Sequence, residues 1–271
     1  MDEEKKKRTE VKLCYPTAML LQLRKDITLL YQLTKANIKL QNENSILGIL
    51  WYILGPLFLF SILLFVFRSR LGGDVEHYPL YLLLGIITWN FFITGSSRCM
   101  MVFSSNAALI KSLPIKLEIL LLSAVLYTFF THILELILFV AFMYWYAVEP
   151  MYIPLFFIVL ILGFLFTLGV GFFLSSLYVL FRDIQQIWSV ITRAWWFATP
   201  IFYVPTPNGP GVFFSQFNPI YYMIHLSRQL LIYHEIPSLS QFGAFTGFTV
   251  LSLIFGYTVF VYIRPSLVER L

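Results

Sequence analysis

Hydrophobic residues in this chain fall into long, mostly apolar stretches, not into the short alternating runs typical of β-strands. Six stretches reach the roughly 18 residues that a helix needs to cross the hydrocarbon core of a membrane. They cover residues 46–67, 78–103, 117–148, 152–181, 184–203 and 242–263. Backbone polar groups in lipid must be hydrogen-bonded within the segment, which favours helices. The pattern predicts an all-α membrane protein, with six transmembrane helices in a transmembrane domain over residues 45–264.

The fifth stretch leaves an alternative open. It carries Arg193 near its middle, and a charged residue at that depth is costly unless it faces protein or water. A five-helix topology, with residues 184–203 at the periphery, therefore remains a second interpretation.

The segments outside the spans are polar. Residues 1–16 form a charged tail, and residues 265–271 form a second tail. Residues 17–44 are too polar to cross a membrane, but their apolar side chains follow helical spacing along one face: Leu20, Leu23, Ile27, Leu30, Tyr31, Thr34 and Ile38. This pattern predicts an amphipathic helix at the cytoplasmic membrane interface. A helix packed on another subunit is the alternative.

Residues 203–211 carry repeated Pro and Gly, which cannot continue a helix. The following segment, 211–234, is apolar again but is divided at Asn218-Pro219 into two pieces, each too short to span. We expect an external re-entrant helix pair between the fifth and sixth spans, which is tolerated only against protein or a water-filled cavity. Its residues form a candidate external gate: Phe213, Phe214, Asn218, Pro219 and Arg228.

The distribution of basic residues predicts the orientation. Lys and Arg are concentrated before the first span, and others lie in the gaps after the second and fourth spans and in the C-terminal tail, which predicts that both termini are cytoplasmic. The net charge of +5 is therefore mainly a topology signal. Nucleic acid is an unsuitable partner, because no basic stripe is interleaved with stacking aromatics in a soluble segment. Cys14 and Cys99 both fall on or near the cytoplasmic side, where thiols stay reduced, so no disulfide is expected.

Two groups of side chains inside the spans are functional candidates. His132 and Glu135 share one face of the third span, and we hypothesise that Glu135 pairs with Arg193 within a protomer or across a dimer. The alternative is that Arg193 extends to the interface and that His132 and Glu135 make a local contact. Aromatic residues that could line a channel, or could simply pack in the core, are Trp51, Trp188, Trp195 and Trp196.

Motifs for catalysis are absent from the sequence. It contains no G-x-x-x-x-G-K-[ST] phosphate-binding loop, no H-E-x-x-H, no G-x-S-x-G and no clustered His/Cys spacing for a metal. We therefore expect a protein that is not an enzyme and that binds neither metal nor cofactor on this chain.

Several short motifs occur in a characteristic order: S-I-L-G-I-L-W at 45–51 with G-P-L at 55–57, W-N-F-F at 89–92, N-A-A-L-I-K at 106–111 with Pro114, F-R-D-I at 181–184, T-P-I-F-Y at 199–203, and N-P at 218–219 with Arg228. This order resembles that of permease subunits of type-2 ABC exporters. The most similar branch exports O-antigen, capsular polysaccharide or teichoic acid. Where that branch commonly carries basic and aromatic residues before the first motif, this chain has Gln-Asn-Glu-Asn at 41–44.

The resemblance implies a homodimer in the bacterial inner membrane, working with two copies of a separate ATPase that binds ATP and Mg. It implies export of a lipid-linked polysaccharide. It also implies an ATPase-coupling segment containing Asn106, Leu109, Ile110, Lys111 and Pro114, and a cytoplasmic turn at Arg182 and Asp183. Two alternatives stay open: an ABC permease exporting a drug or lipid, and a membrane-embedded component of lipid-linked sugar assembly.

Overall fold

The computed structural model describes residues 15–43, 47–48, 50–71, 75–113, 115–205 and 215–270. Regular secondary structure in these residues is entirely helical. The helices are α1 (Tyr15–Asn42), α2 (Leu50–Leu71), α3 (Tyr78–Ser105), α4 (Ala107–Ser112), α5 (Leu117–Trp145), α6 (Ile153–Leu180), α7 (Ile184–Ala198), α8 (Pro219–Leu231) and α9 (Leu239–Arg270).

Five of these helices are long and apolar enough to cross a membrane: α2, α3, α5, α6 and α9. The prediction of an all-helical, multi-span fold is confirmed at this level. The helix predicted for residues 17–44 is also present as α1, whereas its location at a membrane surface stays a prediction. The predicted charged tail lies largely outside the described residues.

The segment predicted as a fifth span forms a shorter helix. Its helix, α7, has 15 residues and ends at Ala198 instead of Tyr203. Thr199 is extended, because a residue that precedes proline is disfavoured in helical conformation, and Pro200 cannot donate a backbone hydrogen bond. At 1.5 Å per residue, α7 is about 22 Å long, which is short of the hydrocarbon core.

Contacts between the spans define two ends of the bundle, the α4 end and the α8 end. Helix α3 begins beside α8 and runs to α4, and α5 returns from there. The first turn of α9 is tied to α8 through Gln241 and His225, and its last part is tied to the start of α5 by Arg264 Nη1 and Glu118 Oε1, 2.8 Å apart. Helices α2, α3, α5 and α6 therefore alternate in direction, whereas α9 runs from the α8 end to the α4 end, as α6 does.

Helix α3 is the centre of the bundle. In an apolar stretch of 18 residues of α3, 78% of residues are buried, compared with 11% in the corresponding stretch of α2. It packs against α5 and α6, and α6 packs extensively against α9. A large apolar cluster fills these contacts, with Leu82, Leu83 and Phe92 fully buried. Helix α2 lies at the side of this core, and most of the surface of α2 is exposed.

Glycines of α6 allow close packing with three different helices. A Cβ on Gly163 would meet Met223 of α8, and a Cβ on Gly171 would meet Cys99 of α3. The closest approach is to α9, where a Cβ on Gly256 would overlap the backbone oxygen of Gly169. Small residues at such crossings let helix backbones touch, as is typical of membrane proteins.

We predict that Gly256→Ala separates α6 from α9. The added methyl group has no room against a backbone oxygen, and overpacking of this kind costs about 1–3 kcal/mol, so the midpoint of thermal unfolding in detergent should fall by several degrees. Gly247→Ala is the matched control, since a Cβ there meets nothing within 4 Å and alanine favours helix by about 1 kcal/mol. Equal unfolding midpoints for the two variants would contradict the packing.

Candidate functional site

A polar stripe runs along the part of α3 that the chain leaves uncovered. Asn90, Ser97 and Thr94 lie on one helical face, with Thr94 exposed and the other two half-buried. Asn90 and Thr94 lie 12 and 16 residues after the first residue of α3, Tyr78, which is about 18 and 24 Å along the helix. The stripe, defined by these three residues, therefore extends from the middle of the span toward the α4 end.

The stripe has no polar partners within the described part of the chain. The structure records no hydrogen bond for the side chains of Asn90, Thr94 or Ser97 there, although other threonines of the spans bond back to carbonyls one turn earlier, as Thr128 does to Ala124. Unsatisfied polar groups at membrane depth do not face lipid. Water, cargo or another protein must therefore meet this face. Sequence reasoning missed the stripe, although its i, i+4, i+7 spacing is visible in the sequence.

Helix α7 lies beside the stripe. A cavity of about 310 Å³ separates α3 from α7, and its lining residues are Trp89, Ile93, Thr192, Arg193, Trp196 and Phe197. The outward side of α7 is bare, with Ile187, Val190, Ile191 and Phe197 between 46% and 67% exposed. Because α2 is bare as well, the stripe lies in an open face bordered by two helices that the chain does not cover.

The candidate channel tryptophans divide into two groups. Trp51, at the start of α2, is 53% exposed, and Trp196 lines the cavity. Trp196 also packs against the core through Trp89, whereas Trp188 and Trp195 pack beside Phe92, with the Phe92 and Trp195 ring centroids 5.5 Å apart. These two residues hold α7 against α3.

The ionisable residues inside the spans do not form a single cluster. His132 Nδ1 lies 3.2 Å from Glu135 Oε2, both side chains are buried, and the imidazole packs on Phe91. Arg193 is exposed on α7, and within the described residues no ion pair joins it to Glu135. Their pairing across a dimer stays a prediction.

The segment predicted to couple to an ATPase contains helix α4, at one end of the bundle. Leu109 and Ile110 are half-buried and pack against the core formed by α3, α5 and α9. Lys111 is exposed, and Asn106, at the junction of α3 and α4, donates from Nδ2 to the Val102 carbonyl at 2.8 Å. Pro114 lies outside the described residues.

Neighbouring elements at the α4 end are linked by charge. Arg182 and Asp183 are exposed in the turn before α7, and Asp183 occupies the N-cap position without a side-chain capping bond. The Asp183 side chain therefore does not cap α7. Asp26 of α1 pairs with Lys116, just before α5. Helix α1 also faces α5 across an apolar cavity of about 350 Å³.

Asn218 joins α8 to the end of α7. Its Oδ1 accepts from Trp195 Nε1 at 3.0 Å and from the first backbone N–H groups of α8. Its Nδ2 donates to Thr199 Oγ1 at 2.8 Å. One side chain therefore caps α8 and holds α7, while Pro219 takes the first helical position, which proline suits. Phe213 and Phe214 lie outside the described residues.

Arg228 is the most deeply buried charge described at the α8 end. Its guanidinium donates to the carbonyls of Tyr81, Pro200 and Ile201 at 2.7 to 3.2 Å and stacks over the Tyr81 ring. A Cβ at Gly85 would lie 2.6 Å from Arg228 Nη2, so this glycine makes room for the cation. Burial, together with the positive charge of Arg228, lowers the pKa of His225 to about 4, which leaves His225 neutral at pH 7.

The carbonyls of residues 200–203, after α7, are bonded although this segment is not helical. Tyr78 donates to the Phe202 carbonyl and Tyr81 to the Tyr203 carbonyl, both at 2.9 Å. Together with Arg228, they satisfy four successive carbonyls at residues 200–203. Irregular backbone in a membrane protein requires such internal partners.

The described geometry combines a multi-span bundle, an open polar face, a short helix at one end and a bonded irregular segment at the other. Residues 28–232 match the family described as ABC-2 type transporter. The chain belongs to the ABC-2 type transporter family. These proteins are membrane subunits of transporters, and the match covers the described helices from within α1 to the end of α8.

Curated relatives extend the likeness. An O-antigen export system permease protein RfbA of Klebsiella pneumoniae is 27% identical over 211 residues, covering 75% of this chain and 80% of the relative. RfbA of Myxococcus xanthus is 23% identical over 248 residues, covering 90% and 95%. The polysialic acid transport protein KpsM of Escherichia coli is 25% identical over 224 residues, covering 79% and 85%.

We predict that Arg228→Lys loosens the α8 end. Lysine keeps the charge, but its single ammonium nitrogen cannot replace the three guanidinium nitrogens that bond these carbonyls. Each buried carbonyl left without a donor costs about 1–3 kcal/mol. The midpoint of thermal unfolding in detergent should fall by several degrees. Arg24→Lys, the same change at an exposed position of α1, should leave it unchanged. Equal midpoints for the two variants would show that the carbonyl bonds are not needed.

Proposed function

We propose that this chain is the transmembrane subunit of an ATP-driven exporter that moves a lipid-linked polysaccharide, of the O-antigen or capsular type, across the bacterial inner membrane. Two copies form the membrane unit, and two copies of a separate ATPase bind ATP and Mg and carry out hydrolysis. Both termini lie in the cytoplasm. Membership of the transporter family and the export and transport functions for which the relatives are named support this proposal.

The stripe on α3 is the observation that carries the choice of cargo. A polysaccharide is rich in hydroxyl groups, so its path must offer polar contacts that are individually weak and tolerate sliding. Neutral amide and hydroxyl groups of Asn90, Thr94 and Ser97 meet this requirement. An exporter of drugs or lipids would be expected to have an apolar wall instead.

A second copy would complete the path. The exposed surfaces of α2 and α7 are apolar. Because they flank a polar stripe, a second copy that packs on them would separate the stripe from lipid. In this arrangement α7, with residues 199–205, would provide the sixth crossing. Helix α8 would then form the described part of the re-entrant segment, with Asn218 and Arg228 fixing the outer gate.

Helix α4 is the proposed contact with the ATPase. Its exposed residues include Ala108, Lys111 and Ser112, and Leu113 directly after it is exposed as well. The helix continues directly from α3, and Lys116 at its far side is tied to α1. Closure of the ATPase dimer would therefore move α1, α3 and α5 together, which would widen the path beside the stripe.

The coupling proposal predicts that Lys111→Glu combined with Leu113→Arg reduces ATPase binding and hydrolysis by the complex. Both side chains are exposed, so the fold should persist while the contact is lost. Glu149→Lys, an exposed charge reversal at the α8 end, is the control. Co-purification and hydrolysis rates would be measured for the three proteins. If the double variant matches the control, α4 is not the contact.

The cargo proposal predicts that replacing the stripe with Asn90→Leu, Thr94→Val and Ser97→Ala lowers surface polysaccharide in a strain that depends on this chain. Thr246→Val, at an exposed position of α9, is the control. Surface polysaccharide would be quantified at matched protein levels. Loss of drug or lipid export with an unchanged amount of surface polysaccharide would favour the alternative that the chain is an ABC permease for a drug or lipid. Unchanged polysaccharide in a strain that lacks the chain would contradict the proposed function.

A further inference from the structure

Arg98 is a charged residue of α3 without a charged partner. The side chain is half-buried, and its Nε atom is fully buried with no hydrogen-bond acceptor among the described residues. No carboxylate of the described chain forms an ion pair with it. A buried donor of this kind costs free energy unless a ligand or another molecule satisfies it.

Two tyrosines from other helices surround the guanidinium. Its carbon lies 4.2 Å from the centre of the Tyr127 ring, on α5, and this ring is buried. The Tyr127 hydroxyl is hydrogen-bonded to the hydroxyl of Tyr52, on α2. Three helices therefore meet at a group consisting of one cation and two phenolic hydroxyls, and the cation is held in place by its contact with the ring.

The depth of this group matches a membrane–water boundary. Arg98 follows Tyr78 by 20 residues, which is about 30 Å of helix and equals the thickness of the hydrocarbon core. Tyr52 lies in the first turn of α2, and tyrosine is enriched at this boundary. Lipid phosphates are the most abundant anions at that level.

We propose that Arg98, Tyr52 and Tyr127 form a binding site for the phosphate or diphosphate headgroup of a lipid at the α4 end of the bundle. The planar guanidinium can offer two parallel N–H groups to phosphate oxygens, and the Tyr52–Tyr127 pair keeps one hydroxyl hydrogen that can donate a further bond. Basic pockets between membrane helices are suited to anionic headgroups. Phosphate chemistry is common to bilayer phospholipids and to the prenyl diphosphate of a lipid-linked glycan.

This assignment rests on the proposed function only if the ligand is the prenyl diphosphate of a lipid-linked glycan. If the chain exports a lipid-linked glycan, the site would receive the diphosphate end of the carrier while the sugar chain enters the open face beside the stripe. Thr94 and Ser97 precede Arg98 by one turn or less on the same helix. The headgroup site and the polar stripe would therefore be continuous.

The test measures binding to the purified full-length chain in detergent. The probes are geranylgeranyl diphosphate, dioctanoyl phosphatidylglycerol and geranylgeraniol, which has no phosphate. The variants are Arg98→Gln, Arg98→Lys and Tyr52→Phe, with Arg24→Gln as a control that removes one exposed arginine from α1. Unfolding temperature and elution profile establish that each variant is folded.

We expect Arg98→Gln to weaken binding of a phosphate-bearing probe roughly 10- to 100-fold, because charge-assisted hydrogen bonds are lost. Arg98→Lys should bind with intermediate affinity and Tyr52→Phe more weakly than the wild type. The control should match the wild type, and geranylgeraniol should not distinguish the variants. If Arg98→Gln loses affinity for geranylgeranyl diphosphate alone, the site binds the prenyl carrier. If it loses affinity for phosphatidylglycerol equally, the site binds a bilayer lipid.

Equal affinity of the wild type and Arg98→Gln for both phosphate-bearing probes would overturn the site and would indicate that a carboxylate of another subunit is the partner of Arg98. If Arg98→Gln does not fold, unchanged binding by Arg98→Lys and Tyr52→Phe would overturn it equally. The measurement uses neither ATPase nor polysaccharide. Its failure would therefore leave the exporter proposal intact, and failure of export would leave a measured headgroup site intact.

Discussion

Polar groups held away from water must find partners inside a membrane protein, and this requirement organises the described bundle. Arg228 and two tyrosines of α3 satisfy the carbonyls of residues 200–203, which permits irregular backbone at the α8 end. Asn218 fulfils the same role for the start of α8. Buried polar atoms without a partner occur on several of the described helices, including Arg98 Nε, His132 Nε2 and Trp188 Nε1. The stripe also lacks partners among the described residues and, unlike these buried atoms, lies on the open face of α3. The bonded regions provide rigidity, and the unbonded face is where another molecule must act.

Much of the fold follows from the sequence, because long apolar stretches have few structural solutions in lipid. The bounds of α3, α5 and α6 agree closely with the predicted spans. Helix α7 differs because hydropathy does not register the break that Thr199 and Pro200 impose. Helix α1 is recognised from its spacing, whereas its pairing with the start of α5 depends on Asp26 and Lys116, a contact between residues distant in sequence.

The functional residues were predicted less completely. Local motifs located α4, Asn218 and Arg228, but they did not indicate that Arg228 binds three carbonyls or that Trp195 holds α7 through Asn218. Burial decides these roles, and burial depends on which helices pack together. The stripe was overlooked because Asn, Thr and Ser are unremarkable one at a time. Their importance appears only when the remainder of α3 is covered and these side chains are not.

The central claim is that the open face of α3 becomes a water-accessible path for a polysaccharide. The most direct measurement is the reaction of Thr94→Cys with a water-soluble maleimide in the assembled transporter, in a Cys14→Ser background that retains the buried Cys99. Thr246→Cys, at an exposed position of α9, is the comparison. The account predicts that residue 94 reacts, that residue 246 does not, and that polysaccharide slows the reaction at residue 94. No reaction at residue 94, or a reaction that cargo does not affect, would contradict it.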